Sequence, residues 1–215
     1  MGAILSVDQK EPRQDVLHAA ASVLRAGGVL VMPTDSVYGI GCVATPGNPA
    51  HEQIFTIKQR DRAQTLPWLV ADASDLLAYG KEVPGWMVDL AQRHWPGALT
   101  LVVKASNKVP QEYRAADGTI ALRVPDSEFV RALVREVGPL ATTSANTHGK
   151  TAATSGTAVE ERIVKLADLT IDAGPAPVGE ASTIVGYKEG RPVVYRQGAL
   201  DLKALFLDDL APNLS

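Results

Sequence analysis

Lys58-Gln59-Arg60-Asp61-Arg62 places three cations in five residues. Arginine grips oxyanions bidentately and lysine acts as a point charge, so this segment has the chemistry of a phosphate clamp. It also follows a stretch of helical pattern, where cations complement the helix dipole. Spacing alone favours that simpler reading. Arg123 is a second candidate, inside Thr119-Ile120-Ala121-Leu122-Arg123-Val124-Pro125. Alternation puts Thr119, Ala121 and Arg123 on one face and Ile120, Leu122 and Val124 on the other. A charge in mid-strand needs a partner or an open cleft. Arg196 similarly ends Val193-Val194-Tyr195. Two strand-borne arginines point to a cationic cleft on a sheet, although edge-strand exposure explains either one alone.

Ser144-Ala145-Asn146-Thr147-His148-Gly149-Lys150-Thr151 ends like a phosphate-binding P-loop. Serine stands where that motif requires its first glycine, and no helix pattern follows directly, so a P-loop NTPase is rejected. Small residues and hydroxyls there still suit an oxyanion, but an ordinary polar turn is the simpler reading of the stretch alone. Gly39-Ile40-Gly41-Cys42-Val43-Ala44 fits a loose dinucleotide fingerprint. Thr45-Pro46-Gly47 follows instead of a helix, so the segment reads as a turn. The four histidines, His18, His51, His94 and His148, are 33, 43 and 54 positions apart, and Cys42 is the only cysteine. Close ligand pairs for structural zinc are therefore absent, and no metal site is expected.

These residues need a scaffold, and the chain supplies one. Its 215 residues are 46% hydrophobic and 21% charged, as in an ordinary globular domain. The 21 basic and 24 acidic residues leave a net charge of -3, and aromatics are 5%. Neither suits a protein living on nonspecific nucleic-acid contacts. One cysteine forbids an internal disulfide, the start of the chain carries no apolar leader, and no apolar run approaches a membrane span. The expected location is cytoplasmic. Helical patterns cover 12–26, 48–58 (Asn48 capping, Pro49 in the first turn), 74–79, 84–95, 126–137 (Asp126 capping), 158–167 and 200–206. Strand patterns cover 29–33, 69–71, 98–104, 119–124, 140–142, 169–171, 182–187 and 193–196, with 34–41 as a loop. The last three strands are too closely spaced for helical crossovers between all of them. The expectation is a single α/β domain with a mixed sheet.

Taken in order, the loops resemble one family. Pro33-Thr34-Asp35-Ser36-Val37-Tyr38-Gly39-Ile40-Gly41 is similar to the opening loop of YrdC-like proteins. Lys58-x-Arg60, Trp95-Pro96-Gly97-Ala98-Leu99-Thr100 and Ala121-Leu122-Arg123-Val124-Pro125 come next. Thr143-Ser144-Ala145-Asn146 with Gly149, Ser182-Thr183-Ile184-Val185 and Arg196-Gln197-Gly198-Ala199 complete the series. Asp61 stands where the family commonly has proline, His148 where serine is usual, and Ala152 where a hydroxyl is usual. The resemblance implies a twisted sheet, parallel and antiparallel, with flanking helices and a cationic concave face. It implies a catalytic domain over 14–200, followed by a short helix and tail over 201–215, as in the family's single-domain form.

The activity implied is synthesis of threonylcarbamoyl-AMP and diphosphate from ATP, L-threonine and bicarbonate, with magnesium carried mainly by the phosphates. A separate complex then transfers the threonylcarbamoyl group to tRNA, so direct tRNA binding is not required. The resemblance makes Lys58 and Arg60 the catalytic clamp on the triphosphate. It gives Thr119, Ser144, Asn146 and Arg196 to the nucleotide. Thr34, Thr142 and Ser182 fall to the amino acid or carbamate, and Arg123 to its carboxylate. Two rival functions stand beside this: an RNA-binding module using the concave face, and a carbamoyl transferase acting on another acceptor.

Overall fold

The computed structural model describes residues 3–201. The chain runs β1 (Ala3–Ser6), α1 (Gln14–Arg25), β2 (Leu30–Met32), β3 (Gly39–Val43), α2 (Pro49–Lys58) and β4 (Trp68–Leu69). It continues α3 (Asp75–Tyr79), β5 (Gly80–Lys81), α4 (Gly85–His94), β6 (Leu99–Ala105), β7 (Thr119–Arg123) and α5 (Glu128–Val137). It ends β8 (Leu140–Ser144), α6 (Glu161–Leu166), β9 (Leu169–Asp172), β10 (Thr183–Lys188) and β11 (Arg191–Arg196). All strands join one sheet, ordered β1-β9-β2-β3-β8-β4-β7-β6-β10-β11, with β5 on β6. Pairs such as β1–β9, β4–β7 and β6–β10 are parallel, while β3–β8, β6–β7 and β10–β11 are antiparallel. The expected single α/β domain with a mixed sheet is what forms.

Alternation decides which face each strand gives to which helices. Val29 and Val31 join one core with Ile54 and Phe55 of α2 and Leu90 of α4. Leu30 and Met32 join the other, with Leu17 and Leu24 of α1 and Phe129 and Leu133 of α5. Helices α1 and α5 cover their face only over the β9-β2-β3-β8-β4 region. Farther along, Ile120, Leu122, Leu101 and Val103 point into the α2–α4 core. Their alternating neighbours Ala121, Arg123, Thr100 and Val102 line an open cleft. The cleft is therefore the part of a sheet face that no helix covers.

The helix ends follow local chemistry. Asn48 accepts from the Ala50 N–H at 3.0 Å, with Pro49 at the first position of α2. Ser127, not the expected Asp126, caps α5 through the Val130 N–H at 3.4 Å. The expected helix over 158–167 shortens to six residues, preceded by a 3-10 turn at Gly156–Ala158. β1 and β5 are strands that the sequence patterns do not mark. The expected helix over 200–206 lies, beyond residue 201, outside the described residues.

The segment expected as a turn, 39–44, is instead a fully buried strand, β3. Gly41 pairs with Thr142 and Gly39 with Ser144. A Cβ on Gly41 would sit 2.6 Å from Thr142 Oγ1 and 2.9 Å from the Ala141 carbonyl. One on Gly39 would sit 2.8 Å from Thr142 Cγ2. Both glycines keep this face flat so that Thr142 can lean across it into the cleft wall. Gly41→Ala is expected to destabilise the fold by about 1–3 kcal/mol through overpacking. Urea unfolding checks it, and unchanged stability would mean that β8 has room to shift.

Candidate active site

The cleft has a volume of about 690 Å³. Of the residues singled out from sequence, Thr34, Arg60, Thr119, Arg123, Thr142, Ser144, Asn146, Ser182 and Arg196 all line it. Lys58 does not appear in its wall. Three strands, β7, β8 and β11, and four connecting segments bring the others together.

Arg123 enters from the end of β7 and is 6% exposed. Its Nη2 donates to Asp35 Oδ1 at 2.6 Å, Nη1 to Ser36 Oγ at 2.6 Å, and Nε to the Gly97 carbonyl at 2.9 Å. This answers the question the sequence poses about a mid-strand charge: it has a buried partner. Desolvation lowers the Arg123 pKa, while Asp35 opposes that shift. The pair pins the 34–36 loop to the sheet. The Trp95-Pro96-Gly97 segment supplies the third acceptor. Thr34 is spent largely within that loop, donating to the Val37 carbonyl at 2.7 Å and accepting from the Ser36 N–H at 3.2 Å. Of the five N–H groups on a guanidinium, three are engaged here, and two remain for a ligand.

Lys58 and Arg60 have different fates. Helix α2 ends at Gln59, whose left-handed φ of 53° turns the chain sharply. Lys58 points inward, 1% exposed, and its ammonium donates to the Ser144 carbonyl and, at 2.7 Å, to the Asn146 carbonyl. It stands behind the 144–146 loop and holds its backbone. Burial, and then the neighbouring Arg60 charge, push its pKa down to about 8. Arg60 stays at the cleft wall. Its Nη1 donates to Thr143 Oγ1 at 2.8 Å and its Nη2 to the Thr65 carbonyl at 3.3 Å. Its Nε is buried without a partner.

The loop beyond β8 is built around two side chains. Asn146 Nδ2 donates to the carbonyls of Thr147 at 3.0 Å and Lys150 at 2.8 Å, leaving Oδ1 buried and unpaired. Glu160 accepts from the Thr147 N–H at 2.7 Å and from Lys150 Nζ at 2.7 Å. The Lys150 ammonium first, then the Thr147 N–H, hold its carboxyl down to about 2. Sequence reading did not single out Glu160 or Asp35. Asp35 sits inside a quoted motif, which was its only signal.

Elsewhere in the lining, Thr119 Oγ1 donates to Asp117 Oδ1 at 2.7 Å. Thr142 Oγ1 donates to the Leu140 carbonyl at 3.2 Å. Ser182 and Thr100 share a hydroxyl contact of 2.8 Å. Arg196 Nη2 donates to the Ser182 carbonyl at 2.8 Å. Burial lowers the Arg196 pKa, and the Arg123 charge lowers it further. Arg60, Arg123, Arg196 and Lys150 line the cleft with one lining carboxylate, Asp117, while Asp35 pairs with Arg123. An excess of positive charge in a cleft favours a polyanion. Cys42 is buried, and desolvation raises its thiol to about 12, which makes it an inert core residue.

The chain belongs to the Sua5/YciO/YrdC family, whose model, described as telomere recombination, matches residues 22–198. It is 35% identical over 190 residues to a threonylcarbamoyl-AMP synthase of Pyrococcus abyssi, covering 88% of this chain and 56% of that protein. It thus spans little more than half of that relative. The structure of P. abyssi Sua5 complexed with L-threonine superposes with a TM-score of 0.87 at 33% identity, covering 94% of this chain and 59% of that one. Escherichia coli YciO superposes with a TM-score of 0.86 at 29% identity, covering 96% and 100%. No helix among the described residues is long and apolar enough to cross a membrane.

The buried cations have two measurable consequences. Arg123→Ala leaves Asp35 charged and unpaired in the interior, which is expected to destabilise the fold by about 3–5 kcal/mol. Asp35→Ala in the same chain is expected to recover part of that loss. A double-mutant cycle by urea unfolding checks this, and additive losses would show that the two do not interact. Lys58 binds its proton less tightly folded than unfolded. The unfolded chain therefore holds more protons between about pH 8 and the ordinary lysine range. The stability of the natural chain relative to Lys58→Met is expected to rise with pH through that window. Melting temperatures of both from pH 7 to 10 measure it, and a constant difference would mean an ordinary lysine.

Proposed function

We propose that this chain is an L-threonylcarbamoyladenylate synthase. It condenses ATP, L-threonine and bicarbonate into threonylcarbamoyl-AMP and diphosphate, for later transfer to tRNA by a separate complex. The observation that carries the reading is Arg60: a desolvated guanidinium on the cleft wall with a buried, unpartnered Nε. An orphaned cationic donor is costly unless an anion completes it. The P. abyssi synthase and the threonine-bound Sua5 support the choice of substrates and favour it over an RNA module or another carbamoyl transferase.

In this reading the threonine carboxylate takes the free N–H groups of Arg123. Thr34, Thr142 and Ser182 shape the surrounding wall. The threonine amine adds to bicarbonate with loss of water, or to carbon dioxide with loss of a proton to solvent, and gives a carbamate. A carbamate oxygen attacks the α-phosphorus of ATP, the bond to the bridging oxygen breaks, and diphosphate leaves with the electron pair. Negative charge grows on the leaving group, so preorganised donors lower the barrier. Arg60, Ser144 and Arg196 lie where they can hold the phosphates, and Thr119 can meet the nucleoside. Lys58 acts from behind, keeping the 144–146 loop in place. No protein nucleophile is required, and rate comes from positioning and electrostatics.

Magnesium fits this site only as a passenger on the nucleotide. Among the described residues no group of three His, Cys, Asp or Glu side chains gathers to hold a metal. The unpaired Asn146 Oδ1 is the hard oxygen that could join phosphate and water ligands around it. When bound, the ion would neutralise phosphate charge.

Diphosphate release is expected only with threonine and bicarbonate both present, read by a coupled diphosphate assay and by mass spectrometry of the nucleotide product. Equal release without threonine would point to a plain nucleotide hydrolase and sink the synthase reading. Arg60→Ala is expected to cut turnover roughly a hundredfold or more while remaining folded. Arg60→Lys should be impaired too, because an ammonium lacks the fork. Near-normal rates in both folded variants would return Arg60 to a helix-end role.

A further inference from the structure

One wall of the cleft is left unused by the chemistry of the phosphates and the amino acid. Tyr195, next to Arg196 on β11, lines the cleft and is 56% exposed. Tyr38, which also lines it, is fully buried, with its hydroxyl donating to the Gly174 carbonyl at 2.7 Å. An exposed aromatic ring inside a cleft is unlike a scattered surface apolar residue, because it is held in place.

The holder is Gly186 on the neighbouring strand β10. A Cβ there would lie 2.5 Å from Tyr195 Cε2, 3.3 Å from its Cζ and 3.2 Å from Val102 Cβ. Any side chain at position 186 would occupy the space the ring now fills. The ring is laid across the backbone of β10 beside Val102, and its remaining surface is open. Arg60, bonded to Thr143 of β8, stands at one end of the cleft, with the orphaned Nε and Asn146 Oδ1. Val102, Ile184 and Tyr195, from β6, β10 and β11, add apolar surface at the other end, beside Arg196. From β8 to β6 is three strand spacings, about 14 Å. A ligand with phosphates at the first end and a flat apolar group at the second would satisfy both.

We propose that Tyr195 is the platform on which the nucleobase stacks, fixed by the slot that Gly186 leaves. The assignment rests on the nucleotide reading of the cleft and names the residue that recognises the base. Stacking on a tyrosine uses the π-face that every base presents, so it orients the base without reading its edge.

The test is calorimetric titration of the full chain with ATP and, separately, with inorganic tripolyphosphate, which carries the charge but no base. Tyr195→Ala is expected to weaken ATP about five- to hundredfold and to leave tripolyphosphate unchanged. Tyr195→Phe keeps the ring and should bind ATP as the natural chain does. Tyr195→Leu keeps apolar bulk without a π-face, and is expected to show the same ATP-selective loss should the alanine variant not fold. Undiminished ATP affinity in a folded Tyr195→Ala or Tyr195→Leu overturns the proposal, as does an equal loss for tripolyphosphate. A natural chain that binds neither ligand would overturn the nucleotide reading and this assignment together. A natural chain that binds ATP, with a variant that binds it equally, removes Tyr195 alone.

Discussion

The site hangs on a cation buried in a sheet. Arg123 is almost inaccessible, yet it carries a full charge on a strand whose other face is core. Placing that charge away from water is unfavourable unless donors and acceptors meet it well. Two segments remote in sequence meet it: the 34–36 loop through Asp35 and Ser36, and the segment after α4 through the Gly97 carbonyl. The loop cannot leave without orphaning the charge, so its conformation is tied to the sheet. A side chain that resembles a substrate ligand is thus also the bolt of the wall that holds the substrate.

Lys58 repeats this logic on the other side. Its side chain is less exposed still, and the ammonium meets two backbone carbonyls, those of Ser144 and Asn146. Glu160 and the Asn146 amide then fix the next stretch of the loop, through Thr147 and Lys150. These bonds leave unspent donors and one unspent acceptor in the wall: the buried Arg60 Nε and Asn146 Oδ1, and N–H groups of Arg60, Arg123 and Arg196 beyond those already bonded. Satisfied groups build the cleft, and unsatisfied ones mark where a ligand completes it.

Much of this was legible from residue order, and the exceptions have physical reasons. Strict alternation is enough to put Thr119, Ala121 and Arg123 on one face of β7, because a strand has period two whatever surrounds it. The cap of α2 by Asn48 is equally local. Gly39 and Gly41 misread as a turn because the reason for them is Thr142, which comes into register only when β3 pairs with β8. Lys58 and Arg60 look equivalent along the chain. One left-handed residue between them, Gln59, sends one inward and leaves the other at the cleft. The partner of Arg123 is a neighbour in space alone, and alternation shows only that some partner must exist.

The buried cations also set a conflict that a ligand can resolve. Burial lowers the pKa of Lys58, Arg60, Arg123 and Arg196 alike, so each holds its proton against an unfavourable environment. The arginines start too high to lose theirs in ordinary solution. Lys58, at about 8, does not. A polyanion entering the cleft favours every charged form, and of these four groups Lys58 is the one where that preference can draw in a proton. Rising pH therefore relieves the empty fold by discharging Lys58, and it removes one of the charges that would attract phosphates. Stability and anion affinity respond to the same titration with opposite sign, because one ammonium serves both the loop's backbone and the cleft's potential.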